Sequence, residues 1–90
     1  MTTKDEEHFV YIVECADGTL YTGYALDLEL RIKTHNAGRG AKYTRGRRPV
    51  HLLYTETYAT RGDALRREQE IKAKTRAAKL QLIAGANHRS

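Results

Sequence analysis

Two apolar runs near the start of the chain set the pattern. Phe9 to Cys15 (FVYIVEC) is rich in β-branched and aromatic residues and is bounded by Ala-Asp-Gly; Thr19 to Tyr24 (TLYTGY) is a second such run. Strand-type residues on either side of a turn signal predict a β-hairpin. The turn decides what the hairpin presents. A two-residue turn at Asp17-Gly18 would put Tyr11 and Tyr21 on opposite faces, because faces alternate with period 2. A three-residue loop, Ala16-Asp17-Gly18, instead sets Cys15 against Thr19, Val13 against Tyr21 and Tyr11 against Gly23. Such loops end on a residue with positive φ, the place Gly18 occupies. This register is the one expected, with both phenols on one face and Gly23 leaving space beside the Tyr11 ring.

Beyond the hairpin, Asp27 is an N-cap for a helix to about Ala37, stopped by Gly38. Leu28 and Ile32 form its buried i, i+4 pair; Arg31 and His35 form another on a neighbouring face. Residues 38–49 read as a Gly-containing basic loop ended by Pro49, and Val50 to Tyr58 as a third strand. Thr60 and Asp63 resemble a capping box opening a helix through about Lys74. Thr75 caps a last helix, Arg76 to Ala84, ended by Gly85. The order ββαβαα predicts an α+β fold: a three-stranded antiparallel sheet with helices on one or both faces. Residues 8–85 form a single domain, with a frayed N-terminus at 1–7 and a tail at 86–90.

Composition narrows the partners. The 90 residues suit one small core, and no apolar run reaches the 18 residues of a membrane span. The polar, acidic start MTTKDEEH lacks a signal-peptide layout, and a lone Cys15 forms no internal disulfide. Both fit a cytoplasmic protein, with Cys15 packed as a small apolar group. The net charge of +5 favours a polyanionic partner. Between Gly38 and Pro49 lie Arg39, Lys42, Arg45, Arg47 and Arg48 and no acid. With Tyr43 and Thr44 these suit phosphate oxygens, so the loop, Thr44 included, is the expected nucleic-acid contact.

Glu68 is the most informative single residue. It stands i+4 from Ala64, i+3 from Leu65 and three before Ile71, on the apolar stripe of its helix. A carboxylate there is costly unless paired or bound to a metal. On spacing alone, a partly exposed glutamate paired with an arginine at the stripe edge is the commoner outcome. Arg31 and His35, on spacing alone, read as a solvent-facing pair, and Tyr11 and Tyr21 as core aromatics with satisfied hydroxyls. There is no phosphate-binding G-x-x-x-x-G-K-[ST] loop, so no nucleotide cofactor is expected. The four histidines show no zinc spacing, and serine occurs only at position 90.

In combination these residues resemble the GIY-YIG nuclease superfamily. Its first motif matches Phe9-Val10-Tyr11, with Phe for Gly; its second matches Tyr21-Thr22-Gly23, with Thr for Ile. The family's helix arginine falls at Arg31, and its metal-binding glutamate, in an A-L-x-x-E context, at Glu68. The wider pattern, CADGTLYTGYALDLELRIKTHNAGRGAKYTRGRRP followed by ALRREQEIK, is similar to the small stand-alone bacterial, YhbQ-like members. Leu30 departs from that group, which often has a second arginine there.

The resemblance implies phosphodiester hydrolysis with one divalent metal, Mg²⁺ or Mn²⁺, held by Glu68. It implies Tyr21 as general base and Tyr11 as the group orienting the water or sharing its proton. A free phenol titrates near pH ~10, so a phenol base needs a cation close by. Arg31 takes that role and stabilises phosphate charge; His35 relays a proton or binds the adjacent phosphate. The expectation is a metal-dependent endonuclease of DNA repair or processing, DNA before RNA. The alternative is a DNA- or RNA-binding module of the same fold that does not cut.

Overall fold

The computed structural model describes residues 7–87. The expected frayed N-terminus, apart from Glu7, and the end of the tail lie outside them. Three strands and four helices follow in order: β1 (His8–Glu14), β2 (Leu20–Ala25), α1 (Leu28–Asn36), α2 (Lys42–Arg45), β3 (His51–Tyr58), α3 (Arg61–Lys72) and α4 (Arg76–Asn87). The fold is the expected α+β arrangement, with one added element. The basic loop contains α2, a four-residue helix too short to leave a periodic signal.

The hairpin adopts the three-residue loop. Cys15 N donates to Thr19 O at 2.8 Å, Gly18 N donates to Cys15 O at 2.9 Å, and Gly18 has φ of +85°. The Asp17 carboxylate fixes the turn by accepting from Thr19 N at 3.1 Å and Thr19 Oγ1 at 2.6 Å. Tyr11 faces Gly23 and Val13 faces Tyr21, so the two phenols share a face.

β3 pairs antiparallel with the other side of β1, giving the order β2-β1-β3. β1 is therefore central and covered on both faces, which is why its sequence is almost continuously apolar. Val10 and Ile12 pack with Ala64 and Ile71 of α3 and Ile83 of α4. Tyr11, Val13 and the free Cys15 pack with Ala25, Val50 and half-buried Leu28 and Ile32 of α1. Between Ile12 and Val13 the β3 register shifts, leaving Leu53 as an extra residue.

The helices start where their caps predict. Asp27 Oδ1 accepts from Leu30 N at 3.0 Å, Thr60 Oγ1 from Asp63 N at 3.1 Å, and Thr75 Oγ1 from Ala78 N at 3.1 Å. The capping box is only half formed, because the Asp63 carboxylate takes Arg66 at 2.9 Å. Two helix ends differ from expectation. α3 stops at Lys72, capped by Ala73, and α4 runs through Gly85 to Asn87. One glycine costs a helix only about 1 kcal/mol, and the turn before it is anchored by Ile83 and Leu82 against the core.

On the α3 side of β3, Tyr54, Glu56 and Tyr58 recur at period 2. The Glu56 carboxylate accepts from both phenols and, bidentately, from Arg67 Nε at 2.9 Å and Nη2 at 3.1 Å. Burial alone would raise the Glu56 pKa; these bonds outweigh it and hold the carboxyl below its usual range. This cluster ties α3 to β3.

Candidate active site

The site grows from Tyr11, which is fully buried at the centre of the sheet. The hydroxyl end of its ring lies against Gly23. A methyl group at that position would sit 2.5 Å from the Tyr11 ring carbon Cζ and closer still to the hydroxyl oxygen. The space expected beside the ring is thus filled by the ring itself, and glycine is what admits it.

From the Tyr11 hydroxyl a chain of hydrogen bonds runs inward. Tyr11 Oη lies 2.8 Å from His35 Nε2, and His35 Nδ1 lies 2.8 Å from Thr44 Oγ1. Thr44 Oγ1 donates to the carbonyl of Ala41 at 2.9 Å. The carbonyl can only accept, so the direction of the whole chain follows. Thr44 gives its proton to Ala41 and accepts from His35 Nδ1–H; His35 Nε2 then accepts from Tyr11 O–H. The imidazole is neutral in this arrangement, and burial, with the nearby Arg31 charge, lowers the His35 pKa accordingly. Gly40 closes against the ring: a Cβ there would lie 2.9 Å from His35 Cα and Cε1 and closer to Nδ1.

Two expectations change here. His35 is not solvent-facing but fully buried, with both ring nitrogens engaged, so it holds Tyr11 and has no free edge for a phosphate. Thr44 is equally buried and serves the same chain, so it is not a phosphate contact. The sequence held a partial signal, the co-occurrence of His35 and a threonine in a glycine-containing loop. The helix α2 that brings them together left none.

Burial pushes the Tyr11 phenol up to about 12. Arg31, beside the same oxygen, pulls it back, while Tyr21 and the Glu68 charge push it further up. The other three residues singled out by the motifs therefore all bear electrostatically on the Tyr11 phenol, although α3 packs on the opposite face of the sheet. Tyr21 is half-buried, its ring 6.4 Å from Tyr11 and 5.4 Å from His35. It stacks on Tyr43 at 5.8 Å and 23°. Arg31 is half-buried, and its Nε is sealed from solvent with no acceptor among the described residues. The cavity that takes in Arg31, about 330 Å³, is otherwise lined by Tyr24, Ala25, Leu26, Asp27, Leu30 and Thr34. Tyr11, Tyr21 and Glu68 are not among its lining residues.

Glu68 is 9% exposed, as its place on the stripe requires. Its partner is not an arginine but Lys72, one turn on, with Nζ at 3.4 Å from Oε2. That separation leaves the carboxylate lone pairs open to another cation. Among the described residues no three His, Cys, Asp or Glu side chains gather as metal ligands. A single carboxylate fits a hard cation that keeps most of its waters, Mg²⁺ or Mn²⁺, and does not fit zinc.

The basic stretch divides in two. Arg47 donates from Nε to Asp17 at 2.9 Å and from Nη1 to Tyr43 O at 2.7 Å, and its guanidinium covers the Tyr43 ring at 4.1 Å. Arg48 donates to the carbonyls of Arg45 at 3.0 Å and Asn36 at 3.4 Å. Both were expected to bind phosphate; in the fold both also clamp α2, Arg47 to the hairpin and Arg48 to α1. Arg39, Lys42 and Arg45 keep exposed side chains for that task.

Comparisons with known proteins agree with the fold. A UPF0213 protein of Staphylococcus aureus is 62% identical over 78 residues, 87% of this chain and 95% of that protein. The solution NMR structure of a UPF0213 protein from Bacillus halodurans matches with a TM-score of 0.60 at 46% identity, covering 92% of this chain and 88% of that one. A protein of E. faecalis, also solved by NMR, matches with a TM-score of 0.65 at 37% identity, covering 100% and 95%. The profile of the GIY-YIG catalytic domain matches residues 7–81, and the chain belongs to that family.

Proposed function

We propose that this protein is a cytoplasmic, divalent-metal-dependent hydrolase of nucleic-acid phosphodiesters, an endonuclease of DNA repair or processing that prefers DNA to RNA. The observation that carries the reading is the orphaned Arg31 Nε beside a phenol on which Tyr21 and Glu68 also act. An unpaired guanidinium N–H costs about 1–3 kcal/mol, and the half-buried Arg31 fork suits a phosphate oxygen as its acceptor.

The two tyrosines take different parts. Tyr11 keeps its proton, which is committed to His35, and presents its oxygen lone pairs to a water or to Arg31. Tyr21, whose hydroxyl is not tied into that chain, is the general base that takes the proton of the attacking water. Arg31 stabilises the charge that builds on the phosphate oxygens. Glu68 would hold the metal, displacing Lys72; the metal, when bound, polarises the phosphate and stabilises the leaving oxygen. Arg39, Lys42 and Arg45 hold flanking phosphates.

The test compares wild type with Glu68→Gln on single- and double-stranded DNA and RNA, with Mg²⁺, Mn²⁺ or EDTA. Metal-dependent cutting that disappears in a still-folded E68Q supports the proposal. Salt-sensitive binding by both proteins with no cutting by either refutes it and leaves a binding module.

A further inference from the structure

Beside the stacked Tyr21–Tyr43 pair lies a second concavity, about 220 Å³, lined by Thr19, Leu20, Tyr43, Arg76 and Lys79. Three elements meet there: the hairpin, α2 and the first turns of α4. Two of its lining residues are cations, and none is acidic. The nearest loop carboxylate, Asp17, is already held by Thr19 and Arg47. Arg76 is fixed in place by one bond, Nη1 to Gly18 O at 2.7 Å. A guanidinium has five N–H donors, so most of its fork remains open. Lys79 is half-buried, forms no ion pair among the described residues, and sits in the field of Lys72, so burial first and that like charge second lower its pKa. Arg76 and Lys79 bring two like charges to a cleft with no acidic lining residue, and an anion there would offset their repulsion. The cations also form a track: Lys72 touches Glu68 at 3.4 Å, and its charge bears on Lys79 in the cleft beside Tyr43.

We infer that this cleft is a second phosphate subsite, in which Arg76 and Lys79 hold a phosphodiester of the bound strand next to the one presented to Tyr21. It rests on the nucleic-acid reading proposed above and adds α4, which no motif marks, to the surface that grips the substrate. A strand held there crosses the stacked face of Tyr21 and Tyr43 on its way to Arg31.

The experiment measures anisotropy of a labelled single-stranded DNA oligonucleotide in EDTA, across a range of salt. It uses wild type, Arg76→Gln/Lys79→Gln, Lys79→Gln alone, and a control, Lys33→Gln/Arg61→Gln, which removes the same charge from exposed positions elsewhere. One lost phosphate contact lowers the slope of log K against log salt by about 0.7. Between about 50 and 200 mM salt the wild type should therefore lose about 2.6-fold more affinity than R76Q/K79Q. K79Q, which leaves the Arg76–Gly18 bond intact, should weaken binding in the same direction, and thermal melting should show all variants folded. An R76Q/K79Q slope equal to wild type, or a control that falls as far, overturns the subsite while leaving the hydrolase reading in place. Absence of salt-dependent binding by wild type instead removes the nucleic-acid reading and the subsite with it.

Discussion

Replacing Gly23 by alanine separates two lines of reasoning by sign. Backbone propensity alone says that alanine in a strand is better than glycine by about 0.5–1 kcal/mol. Packing says the reverse. The new methyl would lie 2.5 Å from Tyr11 Cζ and 3.0 Å from Cε2, against an optimal carbon–carbon separation of about 3.5–4.0 Å. The Tyr11 ring is fully buried and tied to His35 at 2.8 Å, so it cannot slide away cheaply. Overpacking of this kind costs about 1–3 kcal/mol, and forcing the hydroxyl off His35 leaves a buried acceptor unpaired for about 1–3 more. Subtracting the propensity gain leaves a loss centred near 3 kcal/mol. A domain of this size shifts by about 4–8 °C per kcal/mol, so the melting temperature should fall by about 12–24 °C. Urea unfolding should show a lower midpoint at unchanged m. In a Tyr11→Val background the obstruction is gone, and Gly23→Ala should become neutral or stabilising. Equal effects in both backgrounds, or a stabilised single variant, would refute the packing account.

Other substitutions test the same arrangement. Tyr11→Phe should cost about 1–3 kcal/mol in urea unfolding by orphaning His35 Nε2, whereas Tyr21→Phe, which keeps its stacked ring, should stay within about 0.5 kcal/mol and lose cutting by about 10²–10⁴-fold. Thr44→Val should destabilise by about 1–3 kcal/mol with no change in the salt slope of DNA binding; a phosphate contact would give the opposite pair of results. Glu56 has a depressed carboxyl pKa, so it adds stability above its unfolded value of 4.5 that is lost as pH falls through the folded value. Urea midpoints of Glu56→Gln should therefore depend less steeply on pH below about 4.5 than those of wild type.

What the sequence made legible follows from how local each signal is. The hairpin register was readable because one turn residue, Gly18, carries it, and the α1 start because Asp27 caps only three residues ahead. The burial of Glu68 was readable from helical period alone; its lysine partner was not, because several cations lie within one turn of it. The fates of Arg47, Arg48 and Thr44 were hidden for a different reason. Composition tells that a stretch is basic, but a guanidinium that meets a backbone carbonyl or Asp17 looks in sequence like one that meets a phosphate. Sorting them needs α2, whose four residues fold where they do because Gly40 and His35 fit together.

The asymmetry between the two tyrosines is the deepest consequence of that small helix. Both lie on one face of the hairpin, and the motifs treat them alike. Only Tyr11 stands at the head of a proton chain that ends on the Ala41 carbonyl, an atom with no proton to return. The chain therefore has a single direction, and Tyr11 is a donor within it. Reversing it would require His35 to carry its proton on Nε2 and leave Thr44 without a donor for its buried oxygen, at about 1–3 kcal/mol. The cost of that reversal adds to the burial that pushes the Tyr11 phenol up to about 12. Tyr21 lies outside the chain, half-buried and stacked on Tyr43 at the edge of the cleft. The fold thus gives two residues of one type different surroundings, a buried donor and a half-buried ring at the edge of the cleft, by burying the hydrogen-bond partners of just one of them.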